Sequence, residues 1–200
     1  MLPQRVLEKR DGRRERSART HKAIVASLID LIEEGNLSPT ASQIAKRASV
    51  AVRSIRQHFP SREDLFVAAV EEHARRVSPM KTYVDARLPL DERVAQFAEG
   101  RAKELEFCSP VRRAASVVDL SATKGSTSIS RATDEAWQRR RREVEAVFAV
   151  EIEKRRDLLD ALDMLTHGRT WDTMRYAMQL TPANATSLLK RLIAAAVSSR

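Results

Sequence analysis

Residues Gly35 to Arg62 read GNLSPTASQIAKRASVAVRSIRQHFPSR, and they decide the fold. The window holds Lys46, Arg47, Arg53, Arg56 and Arg62 and not one Asp or Glu, whereas the rest of the chain mixes charge signs freely. Thr40-Ala41-Ser42-Gln43 is a capping-box pattern: a hydroxyl for one orphan amide and a Gln three residues on. Ile44, Ala45 and Ala48 follow at helical spacing. Ser49-Val50-Ala51 interrupts, and a second short helix is predicted to run to Phe59, with Ile55 and Phe59 inward. Pro60 ends it, and Ser61-Arg62-Glu63-Asp64 starts another helix. Two short helices, a tight turn and a purely positive surface make a helix-turn-helix whose second helix is free to enter a DNA major groove.

Around this window, Ile24, Leu28, Leu31 and Ile32 give an apolar stripe to a first helix predicted over residues 17–34, stopped by Gly35-Asn36. Leu65, Phe66, Ala69 and Val70 do the same for a helix after Ser61. Residues Thr20 to about Val77 resemble the DNA-binding domain of the tetracycline-repressor (TetR) family. The resemblance rests on the stripe before Gly35, Thr40, Ile44-Ala45, Ala48-Ser49-Val50 and above all His58-Phe59-Pro60-Ser61-Arg62-Glu63-Asp64-Leu65. Two positions depart from the family pattern. Ser49 stands where the family usually has Gly, and Arg56 where it usually has Tyr.

The resemblance implies a sequence-specific transcriptional regulator, a repressor acting as a homodimer on a palindromic double-stranded operator, released by a small-molecule effector. It implies DNA contacts at Thr40, Ser42, Val52, Arg53, Ser54, Arg56, His58 and Arg62. Thr40 and Arg62 sit at helix N-termini, which attract phosphates. Arg53 suits a guanine edge and Val52 a thymine methyl. Val52 also fits the core beside Ile55, and both readings stand at this stage. Arg56 suits a phosphate.

Composition sets the frame. Formal net charge is +9. Residues 1–80 carry 15 basic against 10 acidic residues, and residues 81–200 carry 21 against 17, so positive charge is densest around the window. One cysteine, Cys108, excludes an internal disulfide framework, and the four histidines have no metal-ligand spacing. No catalytic motif, metal site or cofactor loop is present, so the chain reads as a non-enzyme without cofactor. No apolar run reaches membrane-spanning length, and a cytoplasmic, nucleoid-associated protein without a membrane partner is expected.

Few glycines and few β-branched runs point to an all-α fold of about nine helices. Residues 1–16 read as a basic flexible arm, 17–77 as the DNA-binding domain and 78–200 as a helical ligand-binding and dimerisation domain. In the last part Asp91 starts one helix and Ser109-Pro110 a second, short one; 122–130 reads as a loop, and a long helix covers 131–154. Arg139 to Arg142 span more than one turn and point in all directions; Glu135 and Glu143 are their expected partners. Large or soft apolar residues mark a candidate ligand pocket: Phe97, Phe107, Cys108, Val117, Trp137, Met174 and Met178. The terminal helix is heavily apolar, which places Leu188, Leu189, Leu192 and Ile193 either in the chain's own core or in a dimer seam. The seam is the expected use, because helix-turn-helix repressors read two half-sites. A reading from another class is an all-α small-molecule or partner-binding module whose basic head is not used on DNA.

Overall fold

The computed structural model describes residues 4–77, 83–121, 127–155 and 157–199. Among them are ten α-helices and no strand. The helix α1 runs Gln4–Glu33, followed by α2 (Ala41–Arg47), α3 (Val52–His58) and α4 (Arg62–Val77). Then come α5 (Leu90–Ser121), α6 (Thr127–Val147), α7 (Ala149–Lys154), α8 (Asp157–Leu165), α9 (Gly168–Asp172) with a π-helical turn at Thr173–Ala177, and α10 (Pro182–Ser198).

The sequence reading put a flexible arm at residues 1–16; instead α1 begins at Gln4. The stretch is rich in Arg, Glu, Lys and Leu, all good helix formers, and a single Gly12 costs only about 1 kcal/mol in a helix. At its other end Gly35 takes φ +98°, and Asn36 N–H donates to Leu31 C=O while Gly35 N–H donates to Ile32 C=O. That left-handed termination turns the chain sharply into α2.

The expected short helix starting at Ser109-Pro110 does not form. One helix, α5, runs through Pro110 for 32 residues. Pro110 removes a backbone donor, but each side of it is anchored to a different core. Val94, Phe97, Ala98, Ala102 and Leu105 pack with α8, α9 and α10. Val111, Ala114, Ala115 and Val118 pack with Ile24, Leu28, Ile55, Phe59 and Phe66 of the N-terminal helices. The Ser109 hydroxyl does not cap a helix; it donates to Asp172 Oδ1 at 2.6 Å. The sequence boundary at residue 77 is therefore no boundary in packing, since the head's core takes in the second half of α5.

Other differences have the same origin in long-range partners. The expected helix over 131–154 breaks at Phe148, whose ring is fully buried against Phe97 at 5.3 Å, so α7 starts afresh. The loop expected at 122–130 is replaced from Thr127 onward by α6; residues 122–126 lie outside the described residues. Arg141 is paired with Asp160 and Asp163 of α8, and Glu143 with Arg101 of α5. These arginines thus find carboxylates on other helices. At Gly168 a Cβ would lie 2.5 Å from Arg112 Nε, because the Arg112 side chain crosses that backbone to reach Asp172 at 2.6 Å.

His73 of α4 is buried against Phe107 of α5, ring centres 4.4 Å apart, and neither ring nitrogen has a partner. Burial first, then the Arg76 charge, pushes this imidazole down to about 4, with Glu72 opposing. The folded state keeps His73 neutral, while the unfolded chain takes up a proton near pH 6.5. Its contribution is intact above that pH and is lost as pH falls from about 6.5 to about 4, by roughly 2–3 kcal/mol. In urea unfolding across this range, His73→Leu is expected to flatten the acid-side loss. An unchanged pH dependence would show that His73 is not the group responsible.

Candidate nucleic-acid interface

The window at Gly35–Arg62 folds by local capping. Thr40 Oγ1 accepts from Gln43 N–H at 3.2 Å, and Gln43 Oε1 accepts from Thr40 N–H at 2.8 Å. α2 ends in a turn of the same kind as α1: Val50 N–H donates to Ala45 C=O at 3.0 Å, with Ser49 at φ +54°. Ser49 thus adopts the left-handed conformation a glycine would take there at little cost. A reciprocal box starts α4, with Asp64 N–H donating to Ser61 Oγ and Ser61 N–H to Asp64 Oδ2, both at 3.0 Å.

This scaffold fixes which side chains face outward. Ile55 and Phe59 are buried, 6% and 4% exposed, while Val52 is 42% exposed, which removes it from the core. Arg53 and Arg56 are exposed on α3, Ser42 on α2, and Thr40 at the α2 N-terminus; Ser54 is half-buried. Arg62 reaches back from α4, donating to Ser38 Oγ at 2.8 Å and lying 5.5 Å from the Phe66 ring centre. That bond ties the start of α4 to the segment leading into α2, a link with no local signature in the sequence.

Two cations differ from the sequence reading. Arg47 belongs to the acid-free window but pairs through both terminal nitrogens with Glu34, just outside it, at 2.8 and 2.6 Å. His58 is half-buried against α1, its ring 6.0 Å from that of His21. His21 also lies against Phe59 at 4.5 Å, and burial, followed by the nearby His58, lowers its pKa. Lys46, Arg53 and Arg56 have no ion-pair partner among the described residues.

Residues 24–69 match the family model of bacterial regulatory proteins of the tetR family. Over this stretch the chain is similar to that family. No protein of curated function matches the chain significantly. Two solved structures share the fold. One is a transcriptional regulator from Rhodococcus sp. RHA1, 18% identical over 87% of this chain and 94% of that one, with a TM-score of 0.64. The other is a TetR-like transcriptional regulator from the same source, 17% identical over 100% of both chains, with a TM-score of 0.51. The likeness to them extends past the TetR head into the helical body.

In that body the seven residues marked for a pocket do not surround one cavity. Phe97 and Met174 are core, 5% and 3% exposed. Val117 and Met178 lie on the surface, 42% and 53% exposed. Phe107 stacks on His73, and Cys108 is half-buried, its thiol pushed up to about 11 by burial and then by Glu104. Trp137 borders a hollow of about 640 Å³ with Asp163, His167 and Arg169, while Met178 borders another of about 580 Å³ with Leu180 and Leu188. Apolar size marks core and pocket wall alike, so the sequence could not separate them. No described helix is long and apolar enough to cross a membrane.

The strained Ser49 gives a direct check on the turn. Ser49→Gly relieves the left-handed cost and loses some unfolded-state restriction, for a net gain of about 0.5–1 kcal/mol. Urea unfolding of the full chain measures it, and a loss of stability would mean that the Ser49 side chain holds the turn.

Proposed function

We propose that this chain is a sequence-specific DNA-binding transcriptional regulator, acting as a repressor and a homodimer on a palindromic operator, and that a small molecule bound in the body relieves it. The single observation that carries the DNA reading is α3, a short helix pinned by Ile55 and Phe59 that presents Arg53 and Arg56 unpaired on its outer side. Arg53 lies in its first turn, suited to both acceptors of a guanine edge, and Val52 beside it suits a thymine methyl. Thr40 and Arg62 stand beside the free amides of α2 and α4, suited to phosphates, with Arg56, Ser42 and Ser54 alongside. His58, turned towards His21, serves as a brace for α3 and reaches DNA only from the rim.

Base reading and phosphate holding are separable by experiment. Arg53→Ala should weaken operator binding and relax preference at one base pair per half-site, by roughly 1–3 kcal/mol. Arg62→Ala should weaken operator and scrambled duplex alike and flatten the log-affinity against log-salt slope by about one for each phosphate no longer held. Titrations of both variants on both duplexes at several salt concentrations decide. Equal losses on the two duplexes for Arg53→Ala would mean that Arg53 holds the DNA backbone instead of a base.

The dimer reading has to be redrawn on α10. Leu189 and Ile193 are fully buried in the chain's own core, packed with α5 and α8, so they are not available to a partner. The one-in-three-to-four spacing that fills that core leaves Leu188 and Leu192 half-buried on the flank, with Leu188 beside the hollow of Met178 and Leu180. These two residues are the proposed seam. Replacing both by Glu should give a folded monomer in sedimentation at micromolar concentration, because unpaired charge in a seam costs several kcal/mol. Leu189→Glu should instead unfold the chain. A double variant that stays a tight dimer would remove the interface from α10.

A further inference from the structure

The helix α1 is longer than the head it serves. Its core residues are Ile24, Val25, Leu28, Ile29 and Ile32, and residues 14–19 are all exposed. The helix nevertheless continues back to Gln4, 17 residues beyond His21. At ~1.5 Å per residue this projection is about 25 Å long. Its sequence, QRVLEKRDGRRERSART, holds seven basic residues against three acidic ones. The two signs are segregated. Arg5, Lys9, Arg13, Arg16 and Arg19 recur every three or four positions, the spacing of one helical face, and Glu8, Asp11 and Glu15 recur in the same way on another. Arg14, Arg16 and Arg19 have no hydrogen-bond or ion-pair partner among the described residues. Even Glu15 and Arg19, four apart as helical ion pairs are, form none.

Contacts at the two ends of the head fix where the projection leaves it. α1 and α4 lie side by side and run the same way. Glu33, the last residue of α1, meets Arg76 near the end of α4 at 3.9 Å, and the His21 ring lies 4.5 Å from that of Phe59, three residues before α4 starts. Glu34 likewise holds Arg47, the last residue of α2. The C-terminal ends of α1, α2 and α4 are thus gathered at one end of the head. The N-termini of α2 and α4 meet at the other, where Arg62 donates to Ser38 Oγ at 2.8 Å. His21 belongs to that end, its ring 6.0 Å from that of His58 in the last turn of α3. The residues before His21 therefore run on past the end of the head that carries Thr40 and Arg62.

We propose that this projection is a further DNA-contact element, a helical basic arm that lies along the phosphate backbone beside the half-site faced by α3. It rests on the DNA-binding reading above and adds a second contact surface to it. Unpaired guanidinium groups displace condensed counterions from phosphates, and no base has to be read for that gain. A helix suits the task because it holds its cations at fixed intervals on one face, opposite a row of fixed charges. At ~3.4 Å per base pair, an arm of about 25 Å follows the backbone for about seven base pairs.

The test measures binding of the full chain to a random-sequence duplex of about 40 base pairs, by fluorescence anisotropy at several salt concentrations, because phosphate contacts carry no sequence information. Arg16→Gln with Arg19→Gln should weaken binding severalfold and flatten the log-affinity against log-salt slope by up to about two, one for each phosphate released. Arg16→Lys with Arg19→Lys keeps both charges and should bind as wild type does. Gln, Lys and Arg are similar helix formers, so these exchanges at exposed positions leave α1 intact. Glu15→Gln removes an opposing charge and should bind more tightly, a gain that misfolding cannot produce. An unchanged slope in the Gln variant, a Lys variant as weak as the Gln variant, or a Glu15→Gln variant no tighter than wild type would overturn the arm and leave the reading of the head in place. Wild type that binds no duplex would instead overturn the DNA-binding reading, and the arm with it.

Discussion

Much of this molecule depends on α5 belonging to two cores at once. Its first half closes the body through Val94, Phe97, Ala98, Ala102 and Leu105; its second half closes the head through Val111, Ala114, Ala115 and Val118. Interiors are packed as densely as organic crystals, so neither half can shift without its neighbours moving. Pro110 falls between the two halves, at the point where one backbone donor is missing and the helix is easiest to bend. Ser109 and Arg112 flank it and both fasten to Asp172. The segment at α9 and the helix α3 are thereby connected through packed side chains and one continuous helix, with no loop in between.

The two parts of the chain treat positive charge in opposite ways. In the body, arginines are tied to carboxylates on other helices, some of them buried, as Arg93 and Arg101 are. Such pairs add little net stability, yet removing one partner strands a charge and costs about 3–5 kcal/mol. They fix which helix lies against which. In the head, Lys46, Arg53 and Arg56 are exposed with no ion-pair partner among the described residues, while Arg47 is closed off by Glu34. Net charge alone cannot separate these two uses. The acid-free window does so for Lys46, Arg53 and Arg56, which have no carboxylate within it to meet, whereas Arg47 reaches Glu34 just outside.

Legibility followed the range of the interactions. The caps at Thr40 and Ser61, the glycine stop at Gly35 and the apolar spacing of Ile44, Ile55 and Phe59 are each complete within a few residues. All were readable, and with them the all-α class and the head. The exposure of Thr40, Ser42, Arg53 and Arg56 follows from the same local spacing, whereas His58 lies beside His21, Arg62 is bonded to Ser38 and Arg47 of the same window is paired with Glu34, contacts that no local pattern announces. In the body the signals misled. Ser109-Pro110 has the form of a helix start, but its hydroxyl meets Asp172, 63 residues away.

By itself, then, the sequence determined the helices of the head, their capping, and the concentration of unopposed cations on one short helix. Hydrogen bonds to neighbouring amides and a period of 3.6 residues are local quantities, written where they act. Only the tertiary structure decided that α5 is one helix serving two cores, that Leu189 and Ile193 are fully buried while Leu188 and Leu192 are half-buried, and that Arg112 crosses Gly168 to meet Asp172. Burial and charge pairing depend on which helices meet across the chain, and no window of residues contains its own neighbours.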